Sequence, residues 1–252
     1  MKKPKIAISL DKDLLDLIDS KVDGQTIRSR SQAIELFLQR GLAESKVNKV
    51  VLLIKGDHQQ FSLKQIKSKP LITHQIEFFT KNGVQKIYIV TQKSEYTKEF
   101  EKQIKETKKD VRIFYKNVKS TGDALFSIKE YLKEDFVVMS GDLYNIFDLK
   151  KMIQKHLQSN KIATMGLMSR KEVSKYGVAM LDGDLVIGFT EKPKDAQSFV
   201  VNAGVYIFKP ELFDMFKQVP TSLEKDVFPM LAKANQLVGF FTHGEYVHVS
   251  AL

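Results

Sequence analysis

The chain has 252 residues, 43% of them hydrophobic and 28% charged, with a formal net charge of +10 and no cysteine. That length holds one or two domains with a sizeable core, and the composition excludes collagen-like, low-complexity and wholly disordered chains. The lack of cysteine excludes disulfide scaffolds, thiolate zinc sites and cysteine nucleophiles, while the basic balance suits a polyanionic partner such as nucleic acid or a phosphorylated ligand.

At the N-terminus Ile6, Ile8 and Leu10 alternate with Lys5, Ala7 and Ser9, which predicts a short strand over residues 5–10 with one buried face. Asp11 and Asp13 mark a helix start, and Leu14, Leu15, Ile18 and Val22 recur at helical spacing up to Asp23-Gly24. The same aspartates replace the apolar stretch of a secretory signal, and no run approaches the roughly 18 apolar residues of a membrane span, so a cytoplasmic protein without a membrane partner is expected. Ser29-Arg30-Ser31-Gln32 reads as a capping box opening a second helix with Ala33, Ile34, Phe37, Leu38 and Leu42 on its apolar side. One strand and two helices have too little core to stand alone, so this segment is expected to dimerise. In order and spacing it resembles the ribbon-helix-helix family of DNA-binding proteins. That resemblance implies two strands paired in the DNA major groove, with Lys5, Ala7 and Ser9 at base edges and Lys3 at the groove edge or a phosphate. It also implies that Ser29, Arg30 and Ser31 meet a backbone phosphate.

From Lys49 apolar strands alternate with amphipathic helices, the pattern of a mostly parallel sheet covered on both faces. The expected domains are residues 1–45 and 49–252. Strands are predicted at 50–54, 86–91, 111–115, 136–140, 162–168, 177–181, 185–191, 201–208, 237–242 and 245–249. Helices are predicted at 71–82, 94–107, 121–133, 148–159 and 223–234. Along this stretch Lys69-Pro70-Leu71-Ile72, Ser140-Gly141-Asp142, Tyr176-Gly177-Val178, Glu191-Lys192-Pro193, Asn202-Ala203-Gly204 and Glu224-Lys225-Asp226-Val227-Phe228-Pro229 follow one another. This ordered set resembles the sugar-phosphate nucleotidyltransferases over nearly all of residues 50–252. The resemblance implies a Rossmann-like α/β domain with a ligand pocket at Lys55, Gly56, Thr121, Gly141, Asp142, Tyr176, Gly177, Glu191, Lys192, Asn202 and Gly204.

The resemblance weakens where that family does its chemistry. Its glycine-rich phosphate loop is represented here by Lys55-Gly56-Asp57-His58-Gln59-Gln60, with one glycine and no arginine. Of its two Mg²⁺-holding aspartates, Asp142 matches the first and His248 stands at the second, where an imidazole suits a hard ion poorly. Asp123, beside Ser120-Thr121-Gly122, would repel a phosphate placed close to it. His58, His74, His156 and His243 have no metal-site spacing and are read as structural or solvated. These features predict a sequence-specific DNA-binding transcriptional regulator, a homodimer or dimer of dimers on double-stranded DNA. Its larger domain is read as non-catalytic, sensing a nucleotide, sugar phosphate or nucleotide sugar, or serving assembly, with no metal and no cofactor. The alternative is an active sugar-phosphate nucleotidyltransferase dimerised by the N-terminal module, and only that alternative calls for Mg²⁺.

Overall fold

The computed structural model describes residues 7–42 and 47–251, and the chain divides into two compact units, 1–45 and 46–252. The first contains α1 (Lys12–Asp19) and α2 (Arg30–Leu42). Part of the expected 5–10 strand lies outside the described residues, and residues 7–10 form no strand. A strand exists only where another takes up its N–H and C=O groups, and no described strand pairs with this segment. Helix α1 stops before Val22, and Asp23 Oδ1 accepts the amides of Gln25, Thr26 and Ile27 at 2.8, 2.7 and 2.9 Å to make the turn. The capping box forms by half. Gln32 N donates to Ser29 Oγ at 3.2 Å, while Gln32 Oε1 accepts from Arg28 N at 2.8 Å.

The second unit opens with β1 (Lys49–Leu53), a 3-10 turn (Gly56–His58), α3 (Gln59–Leu63) and a small hairpin of β2 (Gln65–Ile66) and β3 (Lys69–Pro70). Next come α4 (Leu71–Lys81), β4 (Lys86–Thr91), α5 (Thr97–Glu106), β5 (Val111–Tyr115), α6 (Thr121–Phe126), β6 (Phe136–Ser140) and β7 (Leu143–Asn145). Then follow α7 (Leu149–Ser159), β8 (Ala163–Ser169), β9 (Gly177–Asp182), β10 (Leu185–Glu191), β11 (Val200–Phe208), α8 (Phe228–Lys233), β12 (Leu237–Phe241) and β13 (Tyr246–His248).

Among the described residues the main sheet runs β5-β4-β1-β6-β11-β8-β12-β10-β9. Strands β5, β4, β1 and β6 are parallel, but β11 lies antiparallel between β6 and β8, and β10 is antiparallel to β9 and β12. The expected mostly parallel sheet is therefore mixed. Only Gly183 and Asp184 join β9 to β10, with Gly183 at φ +59°, and so short a link permits antiparallel neighbours alone. Successive β1 residues serve opposite faces. Val51 packs with Phe136, Phe208 and Phe228 on one side, whereas Val50 and Leu52 pack with Ile72, Phe79 and Phe100 on the other. Burial on both faces explains why β1 reads as an unbroken apolar run.

Two expected helices are broken. That over 121–133 ends at Phe126 and continues only as a 3-10 turn, Lys129–Tyr131. That over 223–234 begins as a π-helical turn, Leu223–Val227, ahead of α8. Pro229 has no N–H to give, so it is accommodated in the first turn of α8 and the wider turn precedes it.

Candidate functional site

Strands β4, β1 and β6 bring their C-terminal ends to one edge of the sheet. From β1 the chain proceeds to β4 and β5, then returns to β6 on the other side of β1. In open α/β sheets the crevice at such a reversal is where ligands bind. Here it holds a cavity of about 430 Å³, whose lining includes Leu53, Lys55, Val90, Gln92, Asn117 and Thr121. Lys119 and Ser120 also line it; both lysines are exposed, and Ser120 Oγ is buried without a hydrogen-bond partner. Asp123 Oδ2 accepts the amide of Lys119 at 3.1 Å.

The segment after β1 is a helical turn instead of a glycine-rich loop, and fully buried Gln59 locks it. Gln59 Nε2 donates to Thr91 Oγ1 at 3.1 Å and to the Gln92 carbonyl at 2.7 Å. Its Oε1 accepts from Ser94 Oγ at 2.7 Å and Thr97 Oγ1 at 3.2 Å. Gly56 sits against the end of β4, where an added Cβ would stand 3.0 Å from Gln92 Cβ. Replacing Gln59 with Ala is expected to destabilise the protein by about 2–4 kcal/mol, because several buried partners lose their bonds at once. Chemical denaturation of the two proteins measures this.

Asp142 follows β6 and gathers residues from two distant segments. Its Oδ2 lies 3.1 Å from His248 Nε2, 2.9 Å from Ser250 Oγ and 3.5 Å from His58 Nδ1. Burial works to raise this carboxyl, but hydrogen bonds from His248 and Ser250 and the charges of His248 and His58 outweigh it and hold it below the usual carboxylate range. The pairing of β13 with β7 sets His248 opposite Leu143, next to Asp142. Gly141 is required here, since an added Cβ would fall 2.1 Å from Ile54 Cγ1. His58, read from sequence as structural or solvated, thus faces the site.

A further group assembles beside it. Gly177 pairs with Glu191 across β9 and β10, and a Cβ on Gly177 would meet Glu191 Oε2 at 2.8 Å. Lys192 N donates to the Tyr176 carbonyl at 3.0 Å, and Lys192 adopts a left-handed φ of +46° that leaves its side chain exposed. Asn202 Oδ1 accepts the Gly204 amide at 2.8 Å, and its Nδ2 donates to the Tyr206 hydroxyl at 2.7 Å. Gly204, at φ +68°, brings this strand against Leu143 and Ser140. Burial, reinforced by repulsion from Glu224, pushes Glu191 up against the weaker pull of Lys192 and Lys225. All eleven residues predicted for a ligand pocket therefore fall in the second unit, around one cavity and two adjoining polar groups. Asn117 and Gln92 belong to none of the sequence motifs, and Ser120, His58 and Glu224 lie in such motifs without having been assigned to the site; only their placement reveals them.

The residues predicted for DNA do not form such a group. Lys3 and Lys5 lie outside the described residues, while Ala7, Ser9 and Ser31 are exposed. Ser29 Oγ is spent on the cap of α2. Arg30 is engaged by Asp19 through Nε at 2.7 Å and Nη2 at 2.5 Å, so its guanidinium is already paired.

The family model for nucleotidyl transferase matches residues 54–246. Mannose-1-phosphate guanylyltransferase catalytic subunit beta of Danio rerio is 30% identical over 190 residues, covering 72% of this chain and 53% of that protein. Mannose-1-phosphate guanyltransferase of Saccharomyces cerevisiae is 31% identical over 201 residues, covering 74% and 54%. The chain spans about half the length of the curated relatives it matches. A crystal structure of a putative glucose-1-phosphate thymidylyltransferase from Bacillus anthracis, in complex with a sucrose, superposes with a TM-score of 0.69 at 18% identity. It covers 79% of this chain and 89% of that one, and shows the shared fold.

These findings overturn the reading of a DNA-binding transcriptional regulator with a non-catalytic large domain. Relatives matching most of the chain are named as transferases, and the matched region begins after the N-terminal unit. The altered loop and His248 are weaker ground for a lost activity than similarity that spans residues 54–246. Double-stranded DNA is withdrawn as a partner on the same finding. Nucleotidyl transferases commonly use Mg²⁺. Among the described residues no group of three His, Asp or Glu is spaced to hold a metal ion. Asp142 stands between two imidazoles, and that donor set does not fit a protein-held Mg²⁺ site.

Proposed function

The chain belongs to the nucleotidyl transferase family, and from that membership we propose that it joins a nucleoside monophosphate to a sugar 1-phosphate with release of pyrophosphate. The observation carrying this reading is a cavity of about 430 Å³ at the C-terminal ends of β1 and β4, whose Thr121 is hydrogen-bonded to Glu224 on the turn that packs against β10, the strand that ends at Glu191. In the reaction a phosphate oxygen of the sugar 1-phosphate attacks the α-phosphorus of the nucleoside triphosphate. A P–O bond forms there as the bond to the bridging oxygen breaks, and pyrophosphate leaves with the electron pair.

The chain's part is to bind and orient, which is where most catalysis of phosphoryl-group chemistry arises. Asn117 and Ser120 offer an amide and a hydroxyl to the nucleoside, and Lys55 and Lys119 oppose the triphosphate charge. Glu191 accepts sugar hydroxyls and Lys192 meets the sugar phosphate. Asp142 holds His58 and His248 beside the reacting groups. GTP and mannose 1-phosphate, the substrates suggested by the relatives' names, are the first to try.

Pyrophosphate release from the purified full-length chain with GTP, mannose 1-phosphate and Mg²⁺ is the test. Release that needs both substrates is the expected result, and no release with any of the common nucleoside triphosphates would overturn the reading. Lys192→Ala is expected to raise the KM for the sugar phosphate by about tenfold or more, as loss of a charge-assisted contact does. Initial rates at varied sugar phosphate measure it.

A further inference from the structure

Glu224 stands on the π-helical turn before α8, outside the residues to which binding was assigned above, yet it reaches both halves of the site. Its Oε2 accepts the hydroxyl protons of Thr121 at 2.8 Å and of Ser222 at 2.7 Å, and Thr121 Oγ1 accepts the Leu223 amide at 3.1 Å. Gly122, next to Thr121, donates its amide to the Thr221 carbonyl at 3.1 Å. The turn is thus bonded directly to the wall of the cavity that Thr121 lines.

The turn carrying Glu224 also packs against β10, the strand that ends at Glu191, and its charge bears on Glu191 and on the buried Tyr206, whose hydroxyl accepts from Asn202. Burial and the like charge of Glu224 both push the Glu191 carboxyl up, and Lys192 and Lys225 offset this only in part. A free glutamate would swing its charge into water. This one is held by two hydroxyl donors on a turn with an extra residue, a local cost of the kind proteins retain at functional sites.

We propose that Glu224 is a positioning residue for both halves of the site, fixing Thr121 against the nucleotide cavity and setting where the Glu191 carboxylate stands on the sugar side. The kinetic consequences rest on the transfer reading given above; the influence of Glu224 on Glu191 does not.

Two variants separate these roles. Glu224→Gln keeps an acceptor for Thr121 and Ser222 but removes the charge, and Glu224→Ala removes both. With GTP and mannose 1-phosphate, the Gln variant is expected to keep the GTP KM within about twofold and to change the mannose 1-phosphate KM by about fivefold or more, whereas the Ala variant raises the GTP KM as well. Thr121→Val should raise the GTP KM alone. Both KM values unchanged in both Glu224 variants would overturn the proposal, because a residue that only stabilises the fold changes the melting temperature or active fraction without separating the two.

A second readout needs no substrate. In protein labelled with ¹³C at glutamate carboxyls, the Glu191 carboxyl is expected to titrate at lower pH in Glu224→Gln than in wild type, with Lys192 and Lys225 still facing it. An unmoved titration overturns the proposal whatever the rates show. A wild type that is inactive with both substrates, together with a shifted Glu191 titration, removes the transfer reading and leaves the positioning contact standing.

Discussion

Asp142→Asn is expected to lower kcat/KM for nucleotidyl transfer by about 100-fold or more, the scale seen when a preorganised electrostatic group is removed from a reacting centre. The carboxylate ties together the turn after β1, through His58, and the C-terminal segment, through His248 on β13 and Ser250 just after it. An asparagine fills the same volume but brings no charge, so both imidazoles lose the group that orients them. The same exchange has a pH signature. Asp142 is held below its ordinary value of 3.8, so its contribution to stability is present above that value and is lost as pH falls through its lowered pKa. Wild-type stability should therefore decline on acidification more steeply than that of Asp142→Asn. Pyrophosphate release measures the first effect, and urea denaturation between pH 3 and 7 measures the second.

Gly122→Ala should produce the largest loss of stability among conservative exchanges near the site. Its new methyl would stand 2.3 Å from the Pro220 carbonyl oxygen and 2.9 Å from the Thr221 carbonyl carbon. Those are backbone atoms and cannot rotate aside, so the turn carrying Glu224 must move. Overpacking of this kind costs about 2–3 kcal/mol, or about 5–10 °C in a unit of this size. Gly188→Ala is the control, because its methyl meets Met180 no closer than 3.5 Å, an ordinary contact. Differential scanning calorimetry of the three proteins gives the comparison, and nucleotide affinity should fall in Gly122→Ala alone.

Strands 86–91 and 136–140 were legible because burial on both faces leaves runs that little else can form, while 111–115 and 185–191, each partly exposed, were legible from shorter apolar stretches; all four were predicted with the bounds observed. Helix 223–234 was less so, since its apolar spacing hides the wider turn that Pro229 imposes. Residues 7–10 show the limit most plainly: alternation encodes a strand-like pattern, but a ladder needs a partner that periodicity cannot supply.

For the site, motif order alone singled out Asp142, Glu191, Lys192 and Asn202 as candidates, and on activity it misled. Judging activity from the altered loop and from His248 ignored what the intervening fold supports. Gln59, with no motif to mark it, stabilises the altered turn through bonds to residues more than thirty positions away.

The sequence by itself determined which segments are buried strands, which helices cover them and which polar residues are available near the ends of β1, β6, β9 and β10, since those follow from local periodicity and chemistry. Only the tertiary structure decided that the sheet is mixed, that His58 and His248 converge on Asp142, and that the turn carrying Glu224 packs against the strand that ends at Glu191. Each of those depends on the distance between side chains far apart along the chain, and packing of the whole unit sets that distance.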